Sequence, residues 1–239
     1  MGGVSAKGLP FSQRGGLTLD AAAMLGTRSP VPLTVMDVLA RIPVADRTQL
    51  DLVAPIAFGA MGNPMIGARH VFRVHDQVWI SLGGHFGLPL VDGKGLVGFS
   101  AARGYWDSQA FARQTVPFAV RTGLEYVEGI ASLRVQLEPV FGIAIDHNVE
   151  HLFAIQHAVE LQLGHVIGGG LRYQGVGMVT EGFSGSKDDR YQATLEPFLR
   201  LQRDPIFARL GVMMPLDKPL GAPFENGWGA RVVVGYSLD

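Results

Sequence analysis

The feature that most constrains this chain is alternation: for a dozen or more residues at a time, apolar and polar side chains take turns. Successive side chains of a strand point to opposite faces, so a period of two marks an extended segment with one oily and one wet face. Past Thr115, Val116, Phe118, Val120, Leu124 and Tyr126 share one face with Thr122, while Ala119, Arg121, Gly123 and Glu125 share the other. The next segment sets Leu133, Val135, Leu137, Phe141 and Ile143 against Ser132, Arg134, Gln136, Glu138 and Gly142. Phe153, Ile155, Val159 and Leu161 then oppose Gln156, Ala158, Glu160 and Gln162, and Tyr191, Leu195, Leu199 and Leu201 oppose Gln192, Thr194, Glu196 and Arg200. Twelve such segments are expected, at 16–27, 31–43, 48–60, 63–74, 77–90, 115–128, 130–145, 150–164, 166–180, 190–203, 206–218 and 227–238. Most exceed the roughly 5–6 residues usual in soluble sheets, and they reach the roughly 9–11 that cross a bilayer at a tilt.

Composition narrows the environment. Apolar residues make up 47% of the chain, yet no run approaches the roughly 20 apolar residues of a membrane helix. Oiliness dispersed over many alternating segments is what strands facing hydrocarbon require. A net charge of −1 supplies no field for nucleic acid. The absence of cysteine excludes disulfides, zinc–thiolate sites and thiol nucleophiles. Residues 1–10, MGGVSAKGLP, lack a charged segment followed by an apolar one; the expectation is a mature chain whose signal peptide has been removed.

The connections carry a second pattern. Those around His75-Asp76-Gln77, Glu128-Gly129, Gly164-His165 and Asp204-Pro205 are very short, while those at 91–114, 146–149, 181–189 and 216–226 are mostly longer. The first two, near Thr27-Arg28-Ser29-Pro30 and Val44-Ala45-Asp46-Arg47, do not discriminate. Short turns on one side and long loops on the other are the habit of outer-membrane barrels. The expected organisation is an N-terminal periplasmic segment at 1–14 and a barrel at 15–239, with a long extracellular loop at 91–114. Residues 101–113 of that loop favour a short helix, which either caps or enters the lumen or lies on the surface; Tyr105, Trp106, Phe111 and Arg113 are its candidate plug residues. Pro139 and Pro197, each in a Leu-Glu-Pro triplet, sit where a ladder donor belongs and predict a bulge or local break.

The final segment sets Trp228, Ala230, Val232, Val234, Tyr236 and Leu238 on one face. With the amphipathic strands and the alternating connections, it resembles the bacterial outer-membrane β-barrel class. In that class the C-terminal strand is recognised by the barrel-assembly machinery and usually ends in an aromatic residue; here Leu238 and Asp239 stand in that place. The resemblance covers roughly residues 15–238 and is architectural. It implies an all-β, antiparallel, up-and-down transmembrane β-barrel of about twelve strands in the outer membrane, surrounded by lipid, with periplasmic termini. Two aromatic girdles are expected: Phe72, Tyr126, Phe207 and Tyr236 near the short turns, and Phe58, Phe86, Phe118, Phe141, Phe153, Tyr191 and Trp228 near the long loops.

If the apolar faces meet lipid, the polar faces line a lumen. The candidate pore-lining residues are Arg69, Arg73, His85, Arg121, Glu125, Arg134, Glu138, Glu160, Arg172, Glu196, Arg200 and Arg231, with Asp20 and Asp51 beside them; Asp37 and Arg41 share a face with Leu33, Val35 and Leu39 and are ambiguous. Mixed charges either pair across strands and fill the lumen or leave a hydrated path. The arginine excess favours anionic solutes. The preferred reading is therefore a narrow porin passing small polar or anionic solutes. A closed structural or anchoring barrel, partnered with an envelope protein complex, is the alternative. An outer-membrane lipid hydrolase, which would use a Ser/His pair on the outer wall, is less favoured: His157 faces outward, but Ser132 and Ser237 face inward. No catalytic residue, cofactor or metal is expected. Gly168-Gly169-Gly170 lacks the context of a phosphate loop, and His151, His157 and His165 are spaced too widely for a compact ligand set. A soluble lipocalin-like barrel would invert the pattern, turning the apolar faces inward.

Overall fold

A computed structural model describes residues 14–25, 33–57, 60–91, 108–147, 149, 151–180, 190–216 and 228–238. The expectations for residues 1–13, Phe58, Tyr105 and Trp106 lie outside the described residues. The alternating segments become β1 (Gly15–Leu25), β2 (Leu33–Ala45), β3 (Thr48–Ala57), β5 (Met65–His75), β6 (Val78–Gly87), β7 (Thr115–Glu128), β8 (Ala131–Ala144), β9 (Leu152–Gly164), β10 (Ile167–Met178), β11 (Tyr191–Arg203), β12 (Ile206–Pro215) and β13 (Trp228–Leu238). A two-residue strand, β4 (Ala60–Met61), folds back on β3 with Ile56 opposite Met61. It is a loop element that the alternation did not reveal.

The twelve long strands pair with their sequence neighbours, all antiparallel, and β1 pairs with β13 through Gly15↔Leu238 to Leu25↔Trp228. The ring thus closes and leaves none of the twelve as an edge. Closure is what hydrocarbon demands, because each unpaired N–H or C=O there costs several kcal/mol. The turns at Asp46-Arg47, Asp76-Gln77, Gly129-Ile130, His165-Val166 and Asp204-Pro205 lie at one end; the strand ends that flank the longer connections lie at the other. Gly164, at the start of one turn, has φ +111°, and a Cβ there would meet the carbonyl oxygen of Ile167 at 2.5 Å, so only glycine fits. At Pro139 and Pro197 the ladder breaks on one side without a change of register: Ala119↔Val140 resumes at Thr122↔Leu137, and Leu195↔Met214 at Phe198↔Gly211. The strand bulges occur elsewhere, between Pro43 and Ala45 and between Arg73 and His75.

The oily faces are outside. Leu17, Leu52, Leu82, Leu137, Leu161, Leu199, Leu210 and Val232 are exposed large apolar side chains, while Asp51, His85, Glu125, Glu160, Glu196 and Arg231 are buried. This is the inverse of a lipocalin-like barrel. On the outer wall at the loop end, Phe118, Phe141 and Phe153 form an aromatic row, with the last two stacked at 4.7 Å. Phe207 departs from its expected place in a girdle. Ile206 and Leu210 take the exposed face of β12, so the strand parity turns Phe207 inward, where its ring lies over Gly235.

Leu137 lies near the middle of β8 with its side chain outward. Leu137→Arg is expected to destabilise the lipid-folded barrel by about 2–4 kcal/mol, the depth-dependent cost of an arginine at a bilayer midplane, measured by urea unfolding in vesicles. A change within experimental error would mean that this face does not meet hydrocarbon.

Candidate functional site: a lumen in two sections

The inward faces of the strands divide along the barrel axis. Toward the short-turn end they carry charge. Toward the loop end they are mostly apolar, with the buried polar side chains of Thr115, Gln156, Gln192 and Thr194 among them.

The charged section is a chain of alternating signs. On β13, Arg231 grips Asp20 of β1 with two nitrogens and reaches Glu196 of β11 at 3.2 Å. Arg209 of β12 bridges Glu196 at 2.7 Å and Glu160 of β9 at 2.6 Å, and its guanidinium stacks over the Phe198 ring at 3.7 Å. Arg134 and Arg172 each approach Glu160 at 3.9 Å, and Arg134 also lies 3.6 Å from Glu125. Strand pairing explains the convergence: Arg134 is opposite Glu160, which is opposite Arg172, which is opposite Glu196. Hydrogen-bonded charge pairs of this kind are strong only while every member is matched.

A second chain crosses the other wall. Arg41 donates to Asp51 at 3.0 Å, His85 Nε2 lies 3.1 Å from the other Asp51 oxygen, and Arg121 donates to Glu138 at 2.9 Å. Arg69 donates twice to Gln49. Arg200 is held by neutral acceptors: Gln162, Gln202 at 3.0 Å and the Gly164 carbonyl at 2.7 Å. The Nε atoms of Arg134, Arg172, Arg200 and Arg209 find no partner on the protein among the described residues.

On the twelve long strands, nine arginines (41, 69, 73, 121, 134, 172, 200, 209 and 231) and seven acids (Asp20, Asp37, Asp51, Glu125, Glu138, Glu160 and Glu196) occupy inward positions, an excess of two positive charges. A cavity of about 410 Å³ lies between them, lined by Arg134, Arg172, Arg200, Arg209 and Arg231, and it reaches Ile130, Gly164, Tyr236 and Ser237 at the short-turn end.

The twelve residues expected to face the lumen all sit on inward positions, though not in equivalent surroundings. Arg73 is at the rim, with its side chain 42% exposed, paired to Asp76 and lying over the inward Trp79. Arg41, ambiguous from the sequence, points in. Arg209, the centre of the larger chain, was missed; the alternation of Ala208, Leu210, Val212 and Met214 with Phe207, Arg209, Gly211 and Met213 carries the signal for it.

The apolar section joins Met24, Val35, Val53, Ala57, Met65, Leu152, Ala154, Val176, Met178 and Met213 into one buried cluster. Ala110 and Phe111 belong to it, although they lie in a 3-10 turn (Ser108–Phe111) of the long connection rather than on a strand. Phe111 is fully buried inside the barrel, whereas Arg113 is exposed. Nothing in the alternation points to this apolar end.

Outside the barrel, His157 meets the Tyr191 hydroxyl at 3.1 Å, and Tyr191 in turn contacts Tyr173. The partner of the outward histidine is thus a phenol on the neighbouring wall.

In backbone geometry the chain is similar to the NanC porin, with a TM-score of 0.65 and 6% identity over 93% of this chain and 100% of that one. The fold is that of a small outer-membrane porin. The KdgM porin gives 0.58 at 11% identity, over 93% and 99% of the two chains, and an outer-membrane channel from Pseudomonas putida F1 gives 0.58 at 9%, over 99% of each. The KdgM porin has also been solved in complex with disordered oligogalacturonate. No protein family matches the sequence, and no curated protein matches it. At these identities the porin fold is shared while the lining residues are this chain's own.

Glu160 faces three arginines, so Glu160→Gln is expected to cost about 3 kcal/mol, the scale of unmatching a buried ion network. Combining it with Arg209→Met should cost less than the sum of the single changes, with a coupling on the order of 1 kcal/mol. Urea unfolding in detergent measures both; additive costs would mean that the pair does not interact.

Proposed function

We propose that this chain is an outer-membrane channel that passes small polar solutes without catalysis and prefers anions. The observation that carries the reading is the cavity at the short-turn end, lined by eight arginines against three acids, Asp20, Glu125 and Glu160. Guanidinium groups match carboxylate and phosphate oxygens in geometry as well as charge. The porin fold supports passage, and the oligogalacturonate complex of the KdgM porin gives an anionic precedent on that fold. The pairing of His157 with a tyrosine, in place of an alcohol nucleophile, favours passage over lipid hydrolysis on the outer wall.

A second reading, a closed barrel anchoring an envelope complex, is favoured by the apolar cluster at the loop end. Planar-bilayer recordings separate the two. The channel reading expects discrete current steps and a reversal potential shifted toward the anion in a salt gradient. Arg134→Ala and Arg200→Ala should each reduce that shift, because each removes one positive charge from a weakly screened cavity wall. A correctly folded barrel with no conductance, both unaltered and as Phe111→Ala, supports the anchor; conductance with unchanged selectivity in both arginine variants would remove these arginines from the path.

A further inference from the structure

The described end of the connection between β6 and β7, residues 108–114, enters the barrel. Ala110 and Phe111 sit in the barrel, 0% exposed, in one buried apolar cluster with Met24 of β1, Met65 of β5, Met178 of β10 and Met213 of β12. Two neighbouring residues of the β4–β5 link hold them there. Asn63, itself fully buried, donates its backbone N–H to the Ala110 carbonyl at 2.5 Å and its side-chain amide to the Ala112 carbonyl at 2.9 Å. Its side-chain oxygen accepts the N–H of Val91 at 3.0 Å, so one residue ties both ends of the connection. Gly62 makes the room: a Cβ there would lie 2.6 Å from the Ala110 carbonyl oxygen and 2.8 Å from the Phe111 ring. Gly62 is itself fixed to β3, donating to the Pro55 carbonyl at 2.8 Å.

We infer that residues 110–112 are a removable stopper, latched shut by Asn63 and seated in a methionine-rich apolar cluster, that closes the loop-end half of the lumen. A dehydrated apolar constriction blocks ions and polar solutes without steric sealing, since neither sheds its water into such a gap. The wall at this level is held by strand ladders, broken beside Met213 at Pro197, whereas the stopper is held by a few hydrogen bonds and by burial, which makes it the part that opens first. Methionine suits the seat, because an unbranched thioether side chain repacks when its partner leaves. The consequence for conductance rests on the channel reading above; the latch itself does not.

The chain contains no cysteine, so Ala110→Cys introduces a single reporter thiol. In the folded barrel this thiol should react slowly with a membrane-impermeant maleimide. Adding Asn63→Ala, which removes two buried hydrogen bonds, or Gly62→Ala, whose Cβ collides with the Ala110 carbonyl and the Phe111 ring, should speed labelling about tenfold. In planar bilayers Asn63→Ala, Gly62→Ala and Phe111→Ala should each raise the mean current several-fold over the unaltered chain, with circular dichroism confirming that all remain folded barrels. Fast labelling of Ala110→Cys alone, or labelling unchanged by either latch variant, overturns the stopper. Equal currents from the unaltered chain and all three variants also overturn it while leaving passage intact. Accelerated labelling with no current from any variant supports the latch and overturns the channel reading instead.

Discussion

Every peptide group that enters hydrocarbon must find its partner within the protein, and the rest of this structure depends on that requirement. Strands satisfy it only by closing on themselves. Here the pairing of β1 with β13 closes a ring whose other pairs are neighbours in sequence. Once closed, the period of two divides each strand between lipid and interior. The alternation therefore decides what surrounds the barrel and what fills it.

The interior solves two different problems. Charged side chains placed inward cannot stay unmatched in a narrow space, so Arg231, Glu196, Arg209 and Glu160 link in series across adjacent strands. The surplus of arginine leaves this section positive and lines the cavity near the short turns. At the other end most inward positions carry methionine, valine and alanine, with Gln156, Gln192 and Thr194 between them, and a segment of the long connection is drawn in to cover them. An apolar interior surface facing water would be costly; Phe111 relieves that cost, and the lumen is interrupted as a result.

Most of the fold was legible in the sequence because a strand with one face in lipid tolerates few exceptions to its alternation. The expected segment at 115–128 coincides with β7, and the expected 190–203 and 206–218 differ from β11 and β12 only at their loop ends. Glu160 and Arg231 could be assigned to the inner face by parity alone. Phe207 was misplaced because aromatics near a barrel end suggest a girdle, and its parity with Arg209 outweighs that habit. The apolar plug was only half legible. Phe111 was a candidate, but its depth depends on Asn63 and Gly62 in a connection whose backbone follows no repeat, and on methionines that look alike in sequence whether they face lipid or lumen.

The central claim is that the apolar wall of this barrel belongs in hydrocarbon. Folding with and without amphiphile tests it most directly, by circular dichroism and sedimentation of the refolded chain. The account predicts a monomeric β-barrel in detergent micelles or lipid vesicles, and aggregation or disorder in plain buffer. A soluble, monomeric, fully β-structured chain in plain buffer would contradict it.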